Sequence, residues 1–114
     1  TQAIEGLRSW LVEKDSNGAK IVGYGAAHKG NTFLNAVGPM AKKIKYVVDA
    51  SPEKHGRFLP GSNIPVITPS SLAEVKPTDI LILPWNIADE IKQTVLENVP
   101  KVKIWVAQPN MNQL

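Results

Sequence analysis

The chain has 114 residues, no cysteine, and 13 basic against 10 acidic side chains, for a formal net charge of +3. Without cysteine there is no disulfide framework and no thiolate zinc site, and a pair of histidines does not make a metal site alone. No apolar run approaches the ~20 residues that span a bilayer, no basic leader with an apolar core suggests export, and so weak a positive field does not argue for nucleic acid.

Ile4, Leu7 and Leu11 recur at helical spacing, opposed by Glu5, Arg8 and Glu13, which predicts a helix over residues 2–15. Asn17-Gly18 stops it, because glycine takes a left-handed cap without steric cost. Lys20 to Tyr24 is a first strand, and Gly25 to Asn31 is a loop of small residues. A short helix follows from Thr32 and ends at Gly38-Pro39. Ile44 to Val48 is a second strand, closing on Asp49. Residues 50–63 form a turn-rich loop, a length that is usually functional or disordered.

Ile64 to Ile67 is a third strand, placed at an edge by Pro65. Thr68-Pro69 caps and opens a brief helix through Val75. Asp79 to Leu83 is a continuous apolar strand of the kind covered on both faces. Asn86 is placed to cap the next helix, with Asp89 at capping-box spacing. Val102 to Ala107 is the last strand, and the tail beyond it is polar. Strands alternating with helices predict an α/β fold: a Rossmann-like, doubly wound, parallel five-stranded sheet in the order 3-2-1-4-5, with helices on both faces. A ligand is then expected where the order reverses, beside Gly25–Asn31 and Pro84–Asn86.

The run Gly23-Tyr24-Gly25-Ala26-Ala27-His28-Lys29-Gly30-Asn31-Thr32 is tested against three templates. A dinucleotide turn wants Gly-x-Gly-x-x-Gly; Gly23 and Gly25 fit, but His28 holds the third position. Asp49 stands where that template reads a ribose hydroxyl. A phosphate loop wants lysine before Thr32, and Asn31 is there instead, so charge compensation for a triphosphate is missing. An S-adenosylmethionine loop wants an acidic residue ahead of Gly23 and glycine at Ala27, and has neither. The plainest reading remains a tight strand-to-helix turn. His28 and Lys29 between the glycines favour anion contact over that reading.

The same run, continued through Phe33-Leu34-Asn35, resembles the signature loop of the carboxy-terminal domain of sugar C-methyltransferases. Three later blocks support the resemblance in order: Val47 to Gly61, Ile64-Pro65-Val66, and Ile80 to Asn86. The resemblance implies three parts in the whole enzyme: a zinc-binding domain, an S-adenosylmethionine-binding domain and a Rossmann-like last domain. It implies that residues 1–114 are that last domain, a carboxy-terminal piece of a longer cytoplasmic enzyme that methylates a carbon of a nucleotide-linked keto sugar. Zinc ligands, methyl donor and general base then lie upstream, and this piece alone carries no catalytic or metal-binding residue and no cofactor. The family usually has a small residue at the place of His28.

Such chemistry suits a divided enzyme. A base removes the proton beside the ketone, and the diphosphonucleotide handle must be held so that the carbon faces the donor. The expected handle contacts are Gly25, Ala26, Lys29, Gly30 and Asn31 on the loop. Lys54 and Arg57 close over the ligand, Asp49 and Ser51 read a hydroxyl, and Trp85 and Asn86 wall the cleft. Each has a plainer alternative: a solvated basic loop for Lys54 and Arg57, backbone capping for Asp49, packing for Trp85, and a helix cap for Asn86. Two other functions stay open. One is a stand-alone NAD(P)- or nucleotide-binding module, resting on Gly23, Gly25 and Asp49. The other is an interface domain without a ligand, docking through an exposed Trp10.

Overall fold

The structure, a computed structural model, describes residues 2–107 and 110–114. Helix α1 (Gln2–Ser16) leads into strand β1 (Ile21–Tyr24), helix α2 (His28–Val37) and strand β2 (Ile44–Val48). Strand β3 (Val66–Ile67), helix α3 (Leu72–Val75) and strand β4 (Asp79–Ile82) follow. The chain continues as helix α4 (Ala88–Asn98), strand β5 (Lys103–Val106) and strand β6 (Asn112–Gln113).

The sheet is mixed, in the order β3-β2-β1-β4-β5-β6, so it has six strands and not the expected five. β1 pairs parallel with β2 on one side and with β4 on the other, which puts the reversal of strand order between β1 and β4. β3 and β5 add parallel strands outward. The extra strand β6 runs antiparallel on β5, with Trp105 opposite Gln113 and Val106 opposite Asn112. Its pairing residues are polar and exposed, so neither apolar periodicity nor β-branching signals it.

Alternation along the strands divides the core into two layers. On one face Ile21, Ile44, Val47 and Leu81 pack under Leu7 and Leu11 of α1 and Leu34 and Val37 of α2. On the other face Val22, Val48, Ile80 and Ile82 pack under Leu72 of α3 and Val95 of α4. All residues of β1 and β4 are buried, as expected of central parallel strands. Arg8 of α1 donates to the carbonyls of Val37 and Ala36, so one helix satisfies the open C-terminal end of its neighbour.

Trp10 is 7% exposed, so the expected docking role for an exposed Trp10 is overturned. Its ring lies 5.3 Å from that of Trp105, tilted by 58°. Beside Trp105 lies Asp79, 2% exposed, at the start of β4. Its carboxylate accepts from Trp105 Nε1 at 2.9 Å and Thr78 Oγ1 at 2.8 Å, and meets Lys14 Nζ at 3.3 Å. The Lys14 ammonium also sits 4.9 Å from the Trp105 ring centre. α1 is thereby bound to β4 and β5 by a buried ionic contact as well as by apolar packing.

Two local expectations change. α2 starts at His28, not Thr32, so His28 to Asn31 are its first turn and the loop is only Gly25–Ala27. Asn86 does not cap α4, and the expected capping box with Asp89 does not form. A 3-10 turn over Trp85–Ile87 delays the helix, and the N-cap is Ile87 with no side-chain bond. Thr68 caps as expected, its hydroxyl accepting from the Ser71 N–H at 3.2 Å.

A cavity at the strand carboxyl ends

The turn after β1 is set by close contacts that exclude side chains. Gly25 has φ +98°, and a Cβ there would lie 2.6 Å from Cδ of Pro84. Its N–H donates to the Val48 carbonyl at 2.7 Å, extending the sheet by one bond before the chain turns away. A Cβ on Gly30 would lie 3.0 Å from Cβ of Leu83. Close helix-on-strand packing is the task of the third glycine in a dinucleotide turn. Here Gly30 does it, two positions beyond His28.

This turn, the start of α2 and the end of β4 enclose a cavity of about 570 Å³. One wall is Gly25, Ala27, His28, Lys29, Gly30 and Phe33. The rest of the lining is Ile82, Leu83, Pro84, Trp85 and Asn86, and Ala107 after β5 completes it. The site therefore lies at the carboxyl ends of β1, β4 and β5, at the reversal of strand order. That is where open α/β sheets bind ligands. Trp85 is 51% exposed. Among the described residues lining the cavity, the ionisable side chains are His28 and Lys29, and none is a carboxylate. Amides at the start of α2 add partial positive charge.

The expected site residues divide into two groups. Gly25, Lys29, Gly30, Trp85 and Asn86 line the cavity. Ala26, Asn31, Asp49, Ser51, Lys54 and Arg57 do not. Phe33, Leu83, Pro84 and Ala107 line it without having been singled out, since apolar residues at strand ends carry no signal beyond core. Asn31 lies in the first turn of α2, and its side-chain oxygen is buried without a hydrogen-bond partner among the described residues. Arg57 is exposed on the loop after β2.

Asp49, 8% exposed, is turned onto its own backbone surroundings. One carboxylate oxygen accepts from the Ala26 N–H at 2.7 Å and the other from the Ser51 N–H at 2.8 Å. Lys54 Nζ donates to the Ala26 carbonyl at 3.3 Å and lies 3.7 Å from the carboxylate. His55 Nε2 donates to the Asp49 carbonyl. Burial pushes the Asp49 carboxyl up, but donors from Ser51 and Ala26 and the Lys54 charge outweigh it, so its pKa lies below the ordinary value. Tyr24, at the end of β1, is raised by burial and then by the Asp49 charge.

The family described as the C-methyltransferase C-terminal domain matches residues 1–107. Over 99 residues the chain is 34% identical to C-methyltransferase NovU of Streptomyces niveus. That alignment takes in 84% of this chain and 24% of the relative, so the chain spans about a quarter of the curated protein it matches.

Proposed function

The chain belongs to the C-methyltransferase C-terminal domain family, and from that premise we propose that its cavity holds the nucleotide diphosphate of a nucleotide-linked keto sugar. The rest of the enzyme then brings the methyl donor and the base to the sugar. The observation that carries the reading is the cavity itself. Its two ionisable side chains, His28 and Lys29, are basic, no carboxylate is among the described residues that line it, and a half-exposed indole is part of the lining. A diphosphate is matched by Lys29, His28 and the first amides of α2. A nucleobase is matched by the faces of Trp85 and Phe33.

This chain's part in the reaction is positional. Holding the handle fixes the sugar carbon in space, which converts an encounter with the donor into a nearly unimolecular step. The methyl group comes from S-adenosylmethionine in this reading. The residues present do not fit a donor site here, because the acid that could take its ribose hydroxyls is spent on Ala26 and Ser51. The donor, the zinc-binding part and the base are assigned to the remainder of a longer cytoplasmic enzyme. The same engagement of Asp49 weighs against the NAD(P) module.

The test is titration of the chain with uridine diphosphate and thymidine diphosphate, followed by amide resonances. Shifts confined to residues 27–33 and 83–86 support the reading. Equal response to the unphosphorylated nucleosides, or none to either diphosphate, refutes it.

A further inference from the structure

The crevice at the reversal of strand order has two sides, one over β4 and β5 and one over β2 and β3. The cavity lies wholly on the first: none of its lining residues comes from β2, β3 or the loop between them. The second side is filled. Ala26 is buried, Asp49 joins its N–H to that of Ser51, and Lys54 spans from the Ala26 carbonyl to the Asp49 carboxylate. His55 adds a bond to the Asp49 carbonyl, so this short segment crosses back over the turn.

We infer that Asp49 and Lys54 are positioning residues that latch the loop after β2 onto the β1–α2 turn, closing the β2 side so that a ligand lies only over β4 and β5. The inference rests on the proposed nucleotide reading for its ligand but not for its geometry. In a dinucleotide site the acid after β2 reaches outward to a ribose hydroxyl. Here it reaches back to the turn, and a lysine covers what remains of it. Ala26 is thus held down, while Ala27 and His28, next in the chain, face the cavity. The latch therefore acts on the ligand through the angle at which α2 starts. It excludes a second nucleoside half by occupying its place. Ser51 takes part through its backbone N–H, and its side chain adds a further hydrogen bond to the carboxylate.

Asp49→Asn tests this, because an amide presents one acceptor oxygen and cannot serve both N–H groups. Lys54→Met is the companion variant, and its half-exposed side chain makes loss of the fold no concern. Uridine diphosphate is the probe, with amide resonances as the readout. In the wild-type chain residues 51–57 stay silent while residues 27–33 respond. Asp49→Asn binds more weakly, up to roughly tenfold, as losing a charge-assisted hydrogen bond lowers the fraction of chains in the latched conformation. Residues 51–57 then begin to respond. Lys54→Met weakens binding by about threefold, and the double variant is no weaker than Asp49→Asn, as expected of groups acting as one unit.

Wild-type affinity in Asp49→Asn, or shifts of Ser51 and Lys54 in the wild type as large as those of the cavity wall, overturns the inference. If the wild type binds no diphosphate, the nucleotide reading fails but the latch is still decided by amide exchange. Asp49→Asn then exposes the Ala26 and Ser51 amides while Leu83 stays protected. Unchanged protection at Ala26 and Ser51 overturns it.

Discussion

Gly25→Ala separates the cost of a backbone conformation from the cost of a collision. At Gly25 φ is +98°, and an added Cβ would stand 2.6 Å from Cδ of Pro84. A side chain forced into that region of φ costs about 1–3 kcal/mol. The collision is with a proline ring, which cannot swing aside, and overpacking of this kind costs a further ~1–3 kcal/mol. Alanine returns about 0.4–1 kcal/mol by restricting the unfolded chain, so the net loss is about 1–6 kcal/mol. Gly18→Ala is the internal control: φ is +76°, but nothing lies within 4 Å of its added Cβ. It carries the conformational cost alone, about 1 kcal/mol. Urea unfolding of both variants measures the two values directly, and the Pro84 collision makes the loss at Gly25 the larger. Equal losses in the two variants would refute the reasoning, since the Pro84 contact would then cost nothing. A loss at Gly25 below about 1 kcal/mol would mean that the turn relaxes freely.

Trp85→Ala removes a half-exposed cavity wall, so stability changes by less than ~0.5 kcal/mol while uridine diphosphate binding weakens by ~1–3 kcal/mol; calorimetry and urea unfolding check the two halves. Lys14→Met leaves Asp79 buried with neutral donors alone and costs about 1–3 kcal/mol, read from the urea midpoint; a stabilised variant would show that the ion pair is dispensable. Because the folded pKa of Asp49 is depressed, its contribution is complete above the unfolded carboxylate value of ~3.9 and is lost as pH falls below that. Asp49→Asn should therefore flatten the fall in stability below ~pH 4, and parallel profiles for variant and wild type would contradict the assignment. NADH should produce no saturable change in intrinsic fluorescence; tight binding would reopen the dinucleotide reading.

The parallel part of the sheet was legible because its signals are apolar and continuous. Ile80-Leu81-Ile82 and Ile21-Val22 read as buried strands, and they are. The misses came from groups whose state the residue type and spacing do not decide. Asn86 has the right residue type and spacing for a cap, but a 3-10 turn at Trp85–Ile87 moves the helix start past it. β6 forms because the β5 edge is open to it, which nothing in Asn112-Gln113 announces. Trp10 looks like an exposed anchor until Trp105, far away in sequence, is placed against it.

The candidate site was half legible for the same reason. Residues on the cavity wall were found by position in the fold: a glycine turn and a strand end at the reversal of order mark the place whatever their side chains do. Asp49 was found by type, and type alone could not decide between a ligand and the chain itself as its partner. The decision lies in the Ala26 N–H at 2.7 Å and the Ser51 N–H at 2.8 Å, which satisfy both carboxylate oxygens from within. A buried carboxylate already satisfied by backbone donors gains little by turning to a ligand, because it must first strand the N–H groups it leaves. Lys54 is drawn in by the same charge, so a loop that reads in sequence as a basic flap is held down as a strap. Positive charge for an anion then remains at Lys29, on the cavity wall, where no carboxylate is among the described lining residues.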